Sequence, residues 1–579
     1  MGIWSTLKKL LPKSSKTPNT IEIDKNITTS PVKIANHFNS YFATIGSKLG
    51  ESQSNLQSVY GPSLSSSTFK FQPVKTSSVL RELKSLKINK GAGLDNIPPR
   101  LLKAAADIIA PSLTYIFNLS LTKGIFPQDL KVAKVTPLYK SGAKDQVENY
   151  RPISVLPIVA KIFEKEVHNQ LYKYLMDNNL LHSSQHGFRK KRSTQTALIK
   201  VVDEWLSNID NGQVSAVVFL DLAKAFDTVK HSILVRKLQA LGVTGLDLDW
   251  FISYLDNRQQ QIFFNGLLSS TEHILSGVPQ GSALGPLLFL VYINDLPSCI
   301  SHSTVNMFAD DTALYYSSNN TDEILRRLND DLENIPSWIK SNGLALNPKK
   351  CEYMVIGSPQ RLNCVQFGTL MLNGVAIKRV ETFKYLGIVL DSNISWSSHI
   401  DYLCNKVSSR IGILKRIMPC LTLPLAQTVY KSTIQPLFDY CGVVWDTCSE
   451  TSSLRLQRLQ NRAGRVILLT DNRNPSASVR AKLNWSTLQQ RRKYNKAILT
   501  YKCLNNQLEG LDTNYLRHSE IHSYNTRNKD KFVLPKPRTE YMKRTFKYTS
   551  ITLWNTLSMN IQNSDSVSSF KRQISEILL

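Results

Sequence analysis

Apolar residues recur three and four apart between Pro31 and Leu49. Ile34, Phe38, Tyr41, Phe42 and Ile45 fall on one side of a helical turn, which predicts an amphipathic helix. A Ser-rich stretch, Ser63 to Ser67, follows and reads as a linker. From Phe69 to about Asp391 helical spacing alternates with short β-branched runs, predicting an α/β or α+β arrangement. One run, Val214-Ser-Ala-Val-Val-Phe-Leu220, is a strand candidate that leads directly into Asp221. Two more, Val305 to Phe308 and Ala313 to Tyr316, flank Ala309-Asp310-Asp311-Thr312, the signature of a hairpin with adjacent acids at its tip. Beyond residue 391 the pattern turns mostly helical, and no repeat of fixed period is present.

One later helix carries two separate faces. Between Leu454 and Leu469, the residues Leu456, Leu459, Ala463, Val466 and Ile467 form an apolar side, while Arg455, Arg458, Arg462 and Arg465 form a basic one. Four guanidiniums along one stripe suit a phosphate backbone, with a strong dependence on salt. The composition points the same way. Lys and Arg number 71 against 44 Asp and Glu, a net +27, which favours a polyanionic partner such as nucleic acid. Residues 451–579 hold 23 basic and 8 acidic side chains, so +15 of the surplus lies there. That tail mixes bases with aromatics at Arg491-Arg-Lys493, Tyr524-Asn-Thr-Arg527, Lys531-Phe532, Lys536 and Tyr541-Met-Lys-Arg544. The mixture fits single-strand binding, template-RNA stacking or plain packing.

Other classes are disfavoured. The eight cysteines are scattered without a Cys-x-x-Cys pair, which argues against a disulfide framework or a zinc knuckle. The longest apolar run, Pro286 to Ile293, falls short of the roughly 20 residues of a membrane span. Met1-Gly2 with Thr6 matches a loose myristoylation pattern that nothing else supports. The chain is thus expected to be nuclear or cytoplasmic, neither secreted nor membrane-bound. Its 579 residues suggest about two to four domains.

Bringing Asp221 beside Asp310 and Asp311 at one sheet edge would gather three carboxylates, whose mutual repulsion raises their pKa values unless a cation intervenes. An all-oxygen set of that kind suits Mg²⁺, which takes its remaining ligands from water and substrate phosphates. Two such ions can stabilise both oxygens of an in-line displacement. A lone Asp-Asp in a turn would mean little, since Asp favours turns.

Its company changes that. Val218-Phe-Leu-Asp221-Leu-Ala-Lys-Ala-Phe226-Asp227, Gly277-Val-Pro-Gln280-Gly281-Ser-Ala-Leu-Gly-Pro286 and Phe308-Ala-Asp-Asp311 resemble, in order, the three central motifs of reverse transcriptases of the non-LTR (LINE-type, jockey-like) retrotransposons. Flanking blocks agree: Asn149-Tyr-Arg151-Pro-Ile-Ser154, Gln185-His-Gly-Phe-Arg189, Gly343-Leu-Ala-Leu-Asn-Pro-Lys-Lys350 and Tyr385-Leu-Gly387. The resemblance is strong from Val74 to Asp391.

The resemblance implies an α+β right-hand polymerase with fingers, a ferredoxin-like palm, a helical thumb and a basic, mainly helical C-terminal region. The corresponding divisions are a connecting region and linker at 1–67, fingers and palm at 68–392, thumb at 393–485, and the C-terminal region at 486–579. It implies an RNA-directed DNA polymerase acting on an RNA template, a DNA or RNA primer and deoxynucleoside triphosphates. Two Mg²⁺ ions, or Mn²⁺, would lie on Asp221, Asp310, the Leu222 carbonyl and, less firmly, Asp311, because adjacent residues tend to face apart.

Phe226 would be the steric gate that excludes a ribose 2′-OH. Gln280 and Gly281 would meet the incoming nucleotide and template, glycine allowing close backbone approach. Lys140 and Arg151 would grip the triphosphate, the guanidinium by its planar fork. Lys350, or its neighbour Lys349, would protonate the leaving pyrophosphate. Tyr385, Leu386 and Gly387 would form the primer grip, and Arg455, Arg458, Arg462 and Arg465 would lie in the thumb.

Two readings compete with an active enzyme: a retroelement relic that only binds nucleic acid, and an RNA-dependent RNA polymerase, for which a bulky Phe226 has no use. No endonuclease fits ahead of the polymerase, and neither a cysteine knuckle nor a ribonuclease H block is present. A truncated copy, or a frame opening inside a longer one, is therefore expected. Template, insertion site and oligomeric state stay open.

Overall fold

A computed structural model describes residues 20–23, 26–49, 67–471, 473–511, 515–521 and 529–579. The myristoylation-like start, Ser63 to Ser66 and Tyr524 to Arg527 lie outside the described residues. The chain mixes helix and strand in an α+β arrangement. Helix α1 (Pro31–Leu49) has the predicted limits, with Ile34, Phe38 and Phe42 buried. Two antiparallel neighbours, β1 (Val132–Tyr139) and β2 (Tyr150–Val155), open a sheet that β4 later joins. Helix α2 (Thr194–Asp210) then leads into β3 (Val214–Leu220), the strand the sequence predicts, residue for residue. Strand β4 (Arg258–Phe264) runs parallel to β1. The short apolar run forms α3 (Gly285–Ile293), whose residues are almost all buried. Strands β5 (Thr304–Phe308), β6 (Asp311–Ser318), β7 (Glu352–Ile356) and β8 (Lys378–Arg379) complete a second sheet, in the order β8-β7-β3-β6-β5.

The second sheet is packed on both faces, which is why β3 reads as a continuous apolar run and not as an alternation. All seven of its residues are buried. Ala216, Val218 and Leu220 face one core, with Leu314, Tyr353 and Val355 from the neighbouring strands. Val217 and Phe219 face the other, with Ala313, Tyr315 and Met354. Each large apolar side chain buried here contributes about 1.5–3 kcal/mol relative to exposure. The burial that stabilises the sheet therefore also holds its edge, and the acids on it, in register.

Helix α1 packs on the first sheet, where the Phe38 ring meets Tyr150 edge-on at 5.0 Å and Phe264 at 6.1 Å. After the sheets a hairpin of β9 (Thr382–Tyr385) and β10 (Ile388–Asp391) precedes a helical part. It holds α4 (Ser397–Ile417), α5 (Glu450–Leu468), α6 (Leu488–Leu504) and α7 (Phe546–Trp554), as the sequence predicts. The last of these docks on α2 through its first backbone N–H groups, since Asp203 accepts from Phe546 at 2.6 Å and Lys547 at 2.9 Å. Among the described residues no helix is long and apolar enough to cross a membrane.

Candidate active site

Three strands deliver the carboxylates. In the β5–β6 hairpin Asp311 pairs with Phe308, leaving Ala309-Asp310 as a two-residue turn. Ala309 there adopts φ +57°, a left-handed conformation uncommon for a residue with a side chain. Leu220 pairs with Thr312, so Asp221 leaves β3 level with Asp311. The segment after Gly343 lies along the other side: Ala345 accepts the Ala223 N–H at 2.8 Å, and Asn347 donates to the Asp221 carbonyl at 2.9 Å. These bonds bracket Leu222, and among the described residues no backbone donor takes the Leu222 carbonyl. The Asp221 N–H points to the buried Cys351 sulfur at 3.4 Å.

The electrostatics follow from this crowding. Burial comes first in raising Asp310, and Asp221 adds to it, while Arg151 and Lys140 oppose. Asp311 reaches solvent, yet the surrounding protein and then the charges of Asp310 and Asp221 push its carboxyl up to about 6, again against Lys140 and Arg151. The expected repulsion is present, second to desolvation. The positive charges of Lys140 and Arg151 are thus close enough to act on both acids. Among the described residues no three His, Cys, Asp or Glu side chains are gathered closely enough to hold an ion by themselves. Two carboxylates with a carbonyl, completed by substrate oxygens, remain a donor set that suits a hard divalent ion.

Phe226 is half-buried, stacked on Phe289 at 4.3 Å and edge-on to Phe188 at 6.2 Å. Its neighbour Asp227 is a residue the motif reading passed over. Gln280 donates its amide to the Asp227 carboxylate at 2.8 Å. Burial lifts Asp227 to about 6, with Gln280, Lys224 and Arg151 pulling the other way. Only its place beside Phe226 signalled it. Lys224 in turn donates to the carbonyls of Glu148 and Tyr150, both at 3.0 Å. Gly281 has a reason to be glycine within the chain itself, since a Cβ there would lie 2.3 Å from the Ser154 carbonyl oxygen, at φ +127°. Ser154 N–H also donates to the Gln280 carbonyl at 2.8 Å, which ties that loop to the strand bearing Arg151.

Lys349 and Lys350 are exposed on a 3₁₀ turn just before β7. Glu352 pairs with Phe219, so Lys350 falls level with Asp221 on that flank. Tyr385 is 3% exposed, with its hydroxyl accepting from the Asn306 amide at 3.1 Å, so its ring supports the hairpin from within. Leu386-Gly387 forms the tight turn at φ +45° and +84°, and Tyr440 donates to the Leu386 carbonyl at 2.8 Å.

The arginine stripe is real but partly occupied. Arg455 pairs with Asp401 at 2.7 Å, and Arg465 donates to the Asn474 carbonyl at 3.2 Å. Arg458 and Arg462 are exposed without such partners among the described residues. In the tail, Arg491 forks onto Asp439 at 3.1 and 2.7 Å. Buried Arg492 and Lys496 share Asp446, each at 2.7 Å. Of the Arg491-Arg-Lys493 trio, Arg492 is therefore internal, Arg491 is partly buried and Lys493 is exposed, so plain packing accounts for at least one of these bases.

Two acidic strand ends thus meet at one edge, with an aromatic one turn on and a Pro-Gln-Gly loop tied to the strand bearing Arg151. Residues 140–390 match the family described as reverse transcriptase (RNA-dependent DNA polymerase). The chain is 30% identical to the probable RNA-directed DNA polymerase from transposon BS of Drosophila melanogaster, over 77% of this chain and 50% of that protein. It is 29% identical to the RNA-directed DNA polymerase from mobile element jockey of the same species, over 67% of this chain and 43% of that protein. The resemblance to jockey-like, non-LTR enzymes is thus borne out. The chain spans about half the length of these curated relatives.

Proposed function

We propose that the chain copies an RNA template into DNA, extending a DNA or RNA primer with deoxynucleoside triphosphates. The observation that carries this is the meeting of Asp221 with the Asp310-Asp311 turn at one sheet edge, facing Lys140 and Arg151. The sheet of β3, β5, β6 and β7 serves as the palm, the sheet of β1, β2 and β4 belongs to the fingers, and 68–392 spans both. Residues 393–485 form the thumb and 486–579 a basic C-terminal region.

Asp221, Asp310 and the Leu222 carbonyl would hold magnesium, with Asp311 beside them. When bound, two such ions stabilise charge on the attacking and leaving oxygens. The chain's own residues do the rest. Arg151 and Lys140 bind the triphosphate, and Phe226, braced by Phe289, fills the space of a ribose 2′-OH. Gln280 is presented to the nucleotide with its amide nitrogen held by Asp227. Lys350, or Lys349, holds the proton that the departing pyrophosphate takes. The Leu386-Gly387 turn bears on the primer, and Arg458 and Arg462 on the nucleic-acid backbone.

The test is primer extension on RNA with Mg²⁺, comparing the chain with Asp310→Ala. DNA product from deoxynucleotides alone, lost in the variant, is expected. A folded chain that binds primer–template yet extends nothing would make it a relic that only binds nucleic acid.

A further inference from the structure

The turn that carries Asp310 is held by a side chain from a distant loop. Residues Ser184 to His186 run alongside β5 as an added edge: Met307 donates to the Ser184 carbonyl at 3.0 Å, and His186 donates to the Met307 carbonyl at 2.8 Å. Gln185, 1% exposed, reaches from this edge to the catalytic turn. Its Oε1 accepts from the Gly187 N–H at 2.8 Å and from the Ala309 N–H at 2.9 Å. Two N–H donors converge on that one atom, so it must be the carbonyl oxygen of the amide.

We propose that Gln185 is a positioning residue for catalysis, which fixes the Ala309-Asp310 turn and with it the direction in which the Asp310 carboxylate points. The inference rests on the reading of Asp310 as an active-site carboxylate.

Three observations carry it. Ala309 sits at φ +57°, a conformation that persists in a residue with a side chain only when its surroundings impose it. The loop comes so near that a Cβ on Gly187 would lie 2.4 Å from the Ala309 nitrogen, so glycine is needed for the oxygen to reach. The loop is also fixed from behind. Arg192 donates to the Gln185 carbonyl at 3.0 Å and lies 3.8 Å from Glu509, whose own N–H donates to the Lys191 carbonyl at 3.0 Å. A buried acceptor that satisfies two buried N–H groups is costly to remove, because both donors are then left without partners.

The test compares the chain with Gln185→Met, close in shape but lacking the acceptor, and with Gln185→Glu, which keeps an oxygen there. Hydrogen exchange across residues 304–312 is followed without divalent ions, and primer extension is titrated with Mg²⁺. In Gln185→Met the Ala309 amide should exchange roughly tenfold faster, the equivalent of about 1.4 kcal/mol. Its half-saturating Mg²⁺ concentration should rise several-fold while primer–template affinity stays unchanged. Gln185→Glu should keep the protection. Unchanged protection in a folded Gln185→Met, or faster exchange with an unchanged Mg²⁺ requirement, overturns the proposal. Should Gln185→Met fail to fold, Gly187→Ala displaces the loop from the other side and must show the same two changes. If Asp310→Ala leaves extension intact, the reading of the acids falls, while the exchange result still reports the clamp itself.

Discussion

Gly46, near the end of α1, lies against the turn that bears Asp227. A Cβ at this position would stand 2.0 Å from the Asp227 carbonyl oxygen and 2.2 Å from the Ser276 hydroxyl. Two effects oppose each other in Gly46→Ala. Helix propensity favours alanine by about 1 kcal/mol. Overpacking costs about 1–3 kcal/mol, and the upper end applies because the obstacle is backbone. That oxygen belongs to a tight turn in which the Asp227 N–H donates to Lys224 at 2.8 Å, so it cannot simply rotate away. The net expectation is a loss of about 2 kcal/mol. Relieving the clash moves α1 or Asp227, and moving Asp227 releases the Gln280 amide, so extension should fall along with stability. Gly412, inside α4, provides the control, since a Cβ there meets nothing within 4 Å. Gly412→Ala should therefore gain about 1 kcal/mol. Thermal and denaturant melting of both variants, with primer extension alongside, measures this. A Gly46→Ala chain that melts as high as Gly412→Ala and extends normally would refute the packing argument.

Without divalent ions, Asp227 and Asp311 titrate near 6 in the folded chain, above the ordinary value of about 4 for an unfolded carboxylate. The folded state therefore binds more protons, and stability should decline as pH rises from about 4 through 6. Melting in chelator should show this decline and a shallower one for Asp311→Asn; identical slopes would contradict the assignment. Phe226→Ala should raise ribonucleotide incorporation roughly ten- to hundredfold, read in single-nucleotide extension. Because the ring is only half-buried, its loss should cost less than the roughly 3–5 kcal/mol of a fully buried phenylalanine. Replacing Arg458 and Arg462 together by alanine should reduce the salt slope of primer–template binding by about 1.5. Arg465→Ala, which removes a loop contact instead, should lower the melting temperature and leave that slope alone.

The amphipathic limits of α1, the β3 strand and the hairpin with Asp310-Asp311 were all legible in the sequence. Each depends on a local period or on turn chemistry, both written in consecutive residues. The order of motifs also identified the polymerase class, because the chemistry demands certain side chains at certain spacings. What stayed hidden are pairings between residues far apart in the chain. Gln280 and Asp227 are 53 positions apart, Arg492 and Asp446 are 46, and Gln185 and Ala309 are 124. A helical period tells which face a side chain occupies, but not what stands opposite. That Asp401 stands beside Arg455 and Asp439 beside Arg491 could thus not be read from the sequence. Tyr385 read as a contact until its ring proved to be core. Nor could the sequence show that Gly281 lies against the Ser154 carbonyl. The sequence alone determined which groups the chemistry has to work with. Only the tertiary structure decided which of them are free to do so, because burial and charge pairing depend on neighbours that folding brings together from distant parts of the chain.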